Sequence, residues 1–484
     1  MPARHQRLID RPAASDELAA ALAAIREELG LDAEFPPAAE AEAAAYAADP
    51  RLPEPDRTQV PFVTIDPEGS TDLDQALHLE RDGDGFVVHY AIADVAAFVE
   101  PGGAIDAEAR RRGQTMYAPD GRVPLHPPVV SEGAASLLEG QERAAYVWTM
   151  RLDASGDVTG TTLERARVRS REQLTYREAQ ARIDGGDAML GLLREVGELR
   201  IALEEARDGA SLDMPEEEIA RHGDDYRLER RELLPVERWN AQVSLMTGME
   251  AANLMLGAGR GILRTMPRPP KGDVRRFRKE VRAIGEEWAE GEHYGAFLRR
   301  LDRSKPTTLA ILQVARRLFR GAGYTVLDGT APGGTAAPGG GSDASLIQAA
   351  IGAPYAHTTA PLRRLVDRYV LAHCEAIANG RDIPAWASEG LVGLPEIMQE
   401  SGQVASRLER ESIDAVEIAM LRHRVGEDFD AVVVETRKDG ATVQLLDPPA
   451  EAACTTSAEP GERIRARLVE ADLAARRLRF EEAR

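Results

Sequence analysis

No stretch of this 484-residue chain approaches the roughly 20 consecutive apolar residues of a membrane-spanning helix, so the sequence predicts no membrane segment. Its first residues, Met-Pro-Ala-Arg-His-Gln-Arg, lack the apolar core of a signal peptide and point to the cytoplasm. Cysteine is almost missing. Cys374 and Cys454 stand far apart, which argues against zinc and for idle thiols in a reducing compartment. The glycine-rich tract 329–342 has no Lys-Ser or Lys-Thr pair, so it is not a phosphate-binding P-loop. Positive charge is in deficit too. The net charge of −21 is unpromising for a nucleic-acid binder. Yet residues 260–305 are rich in Arg and Lys (Arg264, Arg268, Lys271, Arg275, Arg276, Arg278, Lys279, Arg282, Arg299 and Arg300), while acids crowd the N-terminus and 195–237. Such a run is either a solvated helix face or part of a focused positive channel that attracts phosphates inside an acidic shell.

Against these absences stands one dense feature, Asp66-Pro-Glu-Gly-Ser-Thr-Asp72-Leu-Asp74-Gln75. Three carboxylates packed this closely repel one another, and burial raises each pKa unless a cation offsets it. The usual offset is a hard divalent ion such as magnesium. Val60, Phe62 and Ile65 lead in as a strand, Gly69 and Ser70 turn the chain, and a hairpin follows. Carboxylates on a strand-braced loop suit metal-assisted phosphoryl chemistry. The spacing alone also fits a solvated turn. It does not fit an EF-hand, whose terminal bidentate Glu is missing.

Further blocks extend the pattern: 89–95 (His-Tyr-Ala-Ile-Ala-Asp-Val), 116–125 (Met-Tyr117-Ala-Pro-Asp-Gly-Arg-Val-Pro-Leu), 131–138, and 355–367, which contains His357, Thr359, Pro361, Arg363, Arg364 and Asp367. With 66–77 they resemble, in order and over roughly residues 50 to 380, the catalytic RNB domain of the ribonuclease II/R family. The resemblance implies a hydrolytic 3′→5′ exoribonuclease that threads single-stranded RNA to a buried magnesium site and releases nucleoside 5′-monophosphates. It implies metal binding by Asp66, Asp72 and Asp74, with Asp74 the least replaceable, and a phosphate-steadying role for Arg363. Tyr117 matches an aromatic that stacks on the terminal base. Tyr176, His357, Thr359, Arg364 and Glu409 are implied along the RNA path. One position departs: Gln75 stands where the family has a fourth aspartate. Glutamine offers a carbonyl oxygen but no charge, so a second ion is held less well. Restoring Asp at 75 is therefore expected to lower the magnesium requirement. The same departure motivates an alternative, a catalytically silent RNA-binding protein. A metal-dependent phosphatase acting on small substrates has only the aspartates in its favour.

The expected fold class is α+β, with a short helical N-terminal region at 1–55, an RNB domain at 56–380, a helical connector at 381–424 and an OB-fold barrel at 425–484. Leu18, Leu22, Ile25 and Leu29 mark an amphipathic helix over 15–30, followed by a Pro- and Ala-rich tract at 35–55. Hairpins turn at 82–85 and 153–156, and helices are expected at 176–183, 190–206, 236–256, 274–288 and 308–321. Pro361 is expected to open a helix with Arg363 and Arg364 in its first turn, and another helix spans 395–423. Strands at 430–436, 441–446, 463–470 and 476–481 make the barrel, whose few aromatics, Phe429 and Phe480, argue against strong base stacking there. The protein is expected to be a monomer.

Overall fold

The computed structural model describes residues 6–8, 16–210, 212, 216–222, 225–231, 233–303, 305–329, 344–448 and 450–483; most of the glycine-rich tract lies outside the described residues. Two closed five-stranded barrels organise the chain. Phe62–Asp66, Gln75–Asp82, Gly85–Ala93, Glu142–Leu152 and Val158–Thr175 build the first. Its neighbours run antiparallel except where Phe62–Asp66 closes the barrel parallel to Val158–Thr175, with Asp66 opposite Thr175. The turn at 82–85 forms as expected, with Gly83 at a φ of +59° that side chains resist. Val88, Tyr90, Ile92, Trp148 and Met150 share one core with Leu193, Val243 and Met246 of the covering helices. Those helices are Tyr176–Asp184, Ala188–Ala206 and Pro235–Ala258. Thr175 and Glu178 form a capping box that ends the last strand and starts the first helix in one step.

Asp428–Arg437, Gly440–Leu445, Glu451–Thr455, Arg463–Asp472 and Arg477–Glu482 form the second barrel. The sequence reading missed Glu451–Thr455, a five-residue strand whose inward residues, Ala452 and Cys454, are too small to mark a pattern. Phe429 and Phe480 are both interior and meet edge-to-face at 5.7 Å, so neither ring is presented to a base. The α+β class stands.

Other differences have local causes. The Pro- and Ala-rich tract contains a helix, Pro37–Ala48, because Pro at the first helical turn and a run of alanines favour one. Strands Gln6–Leu8, Glu216–His222 and Asp225–Arg231 pair into a small sheet although their charged sequences carry no apolar alternation. Strands Arg260–Thr265 and Gly323–Asp328 pair across nearly sixty residues. In helix Lys271–Ile284, Phe277, Val281 and Ile284 are buried while Arg275, Arg276, Lys279 and Arg282 face solvent, so this part of the basic run is a solvated face.

Helix Asp16–Glu28 buries Leu18, Leu22 and Ile25 against Met116 and Val123 of a short hairpin and against Leu408 and Val416 of helix Leu394–Leu421. Arg26 forks onto Asp120 of that hairpin at 2.5 and 2.9 Å, and Glu28 holds Arg476 of the second barrel at 2.7 Å. Among the described residues no helix is long and apolar enough to cross a membrane.

Candidate active site

Strand Phe62–Asp66 delivers Asp66, a loop carries Asp72, and the chain re-enters the barrel just after Asp74. The loop is fastened by Ser136, which is fully buried: its Oγ accepts the Leu73 N–H at 2.9 Å and donates to the Thr71 carbonyl at 2.7 Å. Leu137 N–H adds a bond to the Leu73 carbonyl and Ala93 N–H one to the Asp74 carbonyl. Ser136 lies in a block that carried the resemblance, but nothing in its spacing announced this bracing role.

Asp74 is the centre of the arrangement. Its Oδ1 accepts the N–H of Leu362 at 2.8 Å, and its Oδ2 lies 3.6 Å from Nε of Arg363. Burial pushes its carboxyl up to about 8, against the pull of Arg363 and the Leu362 N–H. Burial likewise lifts Asp66 to about 7, with Asp72 adding to the rise and Arg363 opposing it. A buried carboxyl, Asp74, and a half-buried one, Asp66, both disfavoured as anions by desolvation, are the donor chemistry a hard cation satisfies. Asp72 is placed differently: its carboxylate pairs with Arg122 at 2.7 Å, and Arg122 also holds Glu132 at 2.8 Å. Among the described residues no group of three or more acids, histidines or cysteines is positioned to hold a metal. Asp66 and Asp74 thus supply oxygen donors of the kind a hard cation takes, while the Asp72 carboxylate is drawn to Arg122.

Gln75 is engaged at both ends of its amide. Its Nε2 donates to the Thr359 carbonyl at 2.6 Å and its Oε1 accepts from the Tyr90 hydroxyl. Thr359, itself buried, shares a hydrogen bond with Ser244 at 2.8 Å. Neither Tyr90 nor Ser244 was singled out by sequence, since both look like ordinary barrel and helix residues.

The segment after Thr359 departs from expectation. Pro361 does not open the helix, which starts at Leu365. Arg364 is extended (φ −134°, ψ 124°), because the backbone here bonds sideways: Thr115 N–H to the Arg363 carbonyl and Leu365 N–H to the Gly113 carbonyl. Arg364 is committed to Asp367 at 2.8 and 2.9 Å, leaving Arg363, 43% exposed, as the arginine that reaches the carboxylates.

Tyr117 sits on the short hairpin Met116–Ala118/Gly121–Val123, directly across from Arg122, and is 40% exposed. Burial raises its pKa, with Arg363 and the aspartates acting on it as well, so it borders the site. His357 bonds the Tyr324 hydroxyl at 2.8 Å; burial, with Arg364 and Arg264 nearby, holds its pKa well below the usual value and keeps it neutral at pH 7. Tyr176 opens its helix and packs on the barrel core. Glu409, on helix Leu394–Leu421, pairs with Arg316 at 3.5 Å.

The model of the RNB domain matches residues 55–379, and that of the RNase II-type exonuclease C-terminal S1 domain matches 427–483. Ribonuclease R of Vibrio cholerae is 26% identical over 427 residues, covering 81% of this chain and 49% of the relative. The chain spans half or less of the length of the curated relatives it matches. Mycoplasma genitalium RNase R, solved with ribose-methylated single-stranded RNA, superposes with a TM-score of 0.82 at 17% identity, over 97% of this chain and 78% of that one. Yeast Ssd1, described as a pseudonuclease, gives 0.65 at 16% identity, over 95% and 57%. At these identities both structures speak to the fold alone.

Proposed function

This chain belongs to the RNB-domain family, and from that membership we propose that it hydrolyses single-stranded RNA from the 3′ end to nucleoside 5′-monophosphates, with magnesium as its resident ion. The observation that carries this reading is the setting of Asp74, a buried carboxyl held by the Leu362 N–H and facing Arg363. Asp66 and Asp74 would hold the ion, whose chemistry when bound is to polarise a phosphate oxygen and acidify a water. The protein's own groups do the rest. Arg363 stands half exposed with a guanidinium fork suited to two charge-assisted bonds to a phosphate, which Lys could not copy. Tyr117, 40% exposed at the edge of the site, is the ring on which a base would stack, a contact worth about 1–3 kcal/mol and indifferent to sequence. Within this reading the protein acts as a monomer in the cytoplasm.

A second reading, an RNA-binding protein without hydrolysis, is favoured by two observations: Gln75 replaces an acid, and Asp72 is drawn to Arg122. One assay separates them. Single-stranded RNA labelled at its 5′ end is incubated with the protein in magnesium and in chelator. Progressive shortening with mononucleotide release, lost in chelator, is expected. Intact, bound RNA supports the second reading, and neither cleavage nor binding sinks both.

A further inference from the structure

We infer that Gln75 is a positioning residue for Arg363, its side-chain amide clamping the segment 359–363 onto the catalytic barrel. This rests on the exonuclease reading for its consequence in catalysis, but the clamp itself is read from hydrogen-bond polarity. A backbone carbonyl only accepts, so the end of Gln75 that faces the Thr359 carbonyl at 2.6 Å must be its NH2. The opposite end then accepts from the Tyr90 hydroxyl, on a residue with no exposed surface. Donors and acceptors therefore fix the amide's orientation without appeal to its atom labels. One residue earlier, Asp74 takes the N–H of Leu362. Two adjacent side chains thus seize the same segment at Thr359 and at Leu362, and Arg363 is the next residue along. Ser244 holds the segment at a third point, the Thr359 hydroxyl.

A carboxylate cannot replace this amide. Aspartate is one methylene shorter and has no N–H, so the Thr359 carbonyl, in a buried residue, would lose its donor and face a negative oxygen. Asp at 75 is accordingly not expected to lower the magnesium requirement. Adding the fourth acid is expected to reduce activity, because it loosens the arginine before it can help a cation.

Gln75→Glu and Gln75→Asp are compared with wild type by RNA cleavage kinetics, thermal melting and hydrogen–deuterium exchange of peptides covering 355–364. Glutamate keeps the length and the oxygen for Tyr90 and, when ionised, removes the donor; because a neutral carboxyl would still donate its O–H, Gln75→Met, which cannot donate at any pH, is run beside it. For Gln75→Glu, kcat is expected to fall on the order of tenfold to a hundredfold, the loss of one buried hydrogen bond, with KM within about twofold. Half-saturating magnesium stays unchanged, melting shifts by no more than a few degrees, and exchange at 355–364 quickens about tenfold or more while strand 142–152 is unaffected. Should the buried charge prevent folding, Gln75→Met, uncharged and of similar length, is expected to give the same result. Unchanged exchange at 355–364, equal losses in kcat and KM with a large drop in melting temperature, or a Gln75→Asp protein as active as wild type would each overturn the clamp. If wild type cuts no RNA, the exchange measurement still decides the clamp, and the exonuclease reading is the one that fails.

Discussion

Asparagine in place of Asp74 keeps an oxygen for the Leu362 N–H and removes the charge that faces Arg363. Cleavage by Asp74→Asn is expected to fall on the order of a thousandfold, with RNA affinity within about threefold of wild type, since the path to the site stays open. Parallel cleavage and filter-binding measurements check this, and a variant that keeps most of its rate removes Asp74 from the chemistry. The motif made the three aspartates legible but not their unequal settings. Asp72 finds Arg122 fifty residues on, a pairing that loop spacing cannot foretell. His126 supplies a test of a different kind. It is buried, and burial lowers its pKa to about 3, with Arg368 adding to the drop. An imidazole whose folded pKa lies below its unfolded value of about 6.5 binds fewer protons in the native state between those limits, so stability falls as pH drops through that window. The stability advantage of wild type over His126→Gln is expected to shrink by up to about 1.4 kcal/mol per pH unit below roughly 6.5, measured by urea unfolding from pH 7 to 5. A pH-independent difference would place His126 in water rather than in the core.

Elements were readable where a single face is apolar and unreadable where partners are remote or small. Helix Asp16–Glu28 was foreseen from Leu18, Leu22 and Ile25, and those residues are the ones it buries. Ile25→Ala is expected to cost about 2–5 kcal/mol, the usual penalty for emptying a filled apolar site. Melting by calorimetry checks it, and a loss below about 0.5 kcal/mol would mean that the helix is not docked. By contrast, the start of helix Leu365–Ala378 was misjudged by four residues. Proline does suit a first helical turn, but here the strand-like bonds to residues 113–115 claim the backbone first. Tertiary pairing of that kind leaves no trace in local propensity. The charged strands Glu216–His222 and Asp225–Arg231 escaped for a related reason: a pair of strands needs backbone partners, and side-chain alternation reports burial rather than pairing.

For the whole molecule, a net charge of −21 disfavours an anionic strand at long range, while the half-exposed Arg363 offers a cation close to the carboxylates. The local attraction is expected to prevail. RNA affinity should weaken with rising salt, at a log–log slope of about −0.7 for each phosphate neutralised. Fluorescence anisotropy across salt concentrations measures it, and a flat or rising curve would mean that the acidic exterior governs the encounter. The two clamps of helix Asp16–Glu28, Arg26 on Asp120 and Glu28 on Arg476, carry a mechanical implication. Through them the hairpin that bears Tyr117 and the far barrel share a single lever arm. Displacement of the second barrel would therefore be passed, through one helix, to the mounting of Tyr117.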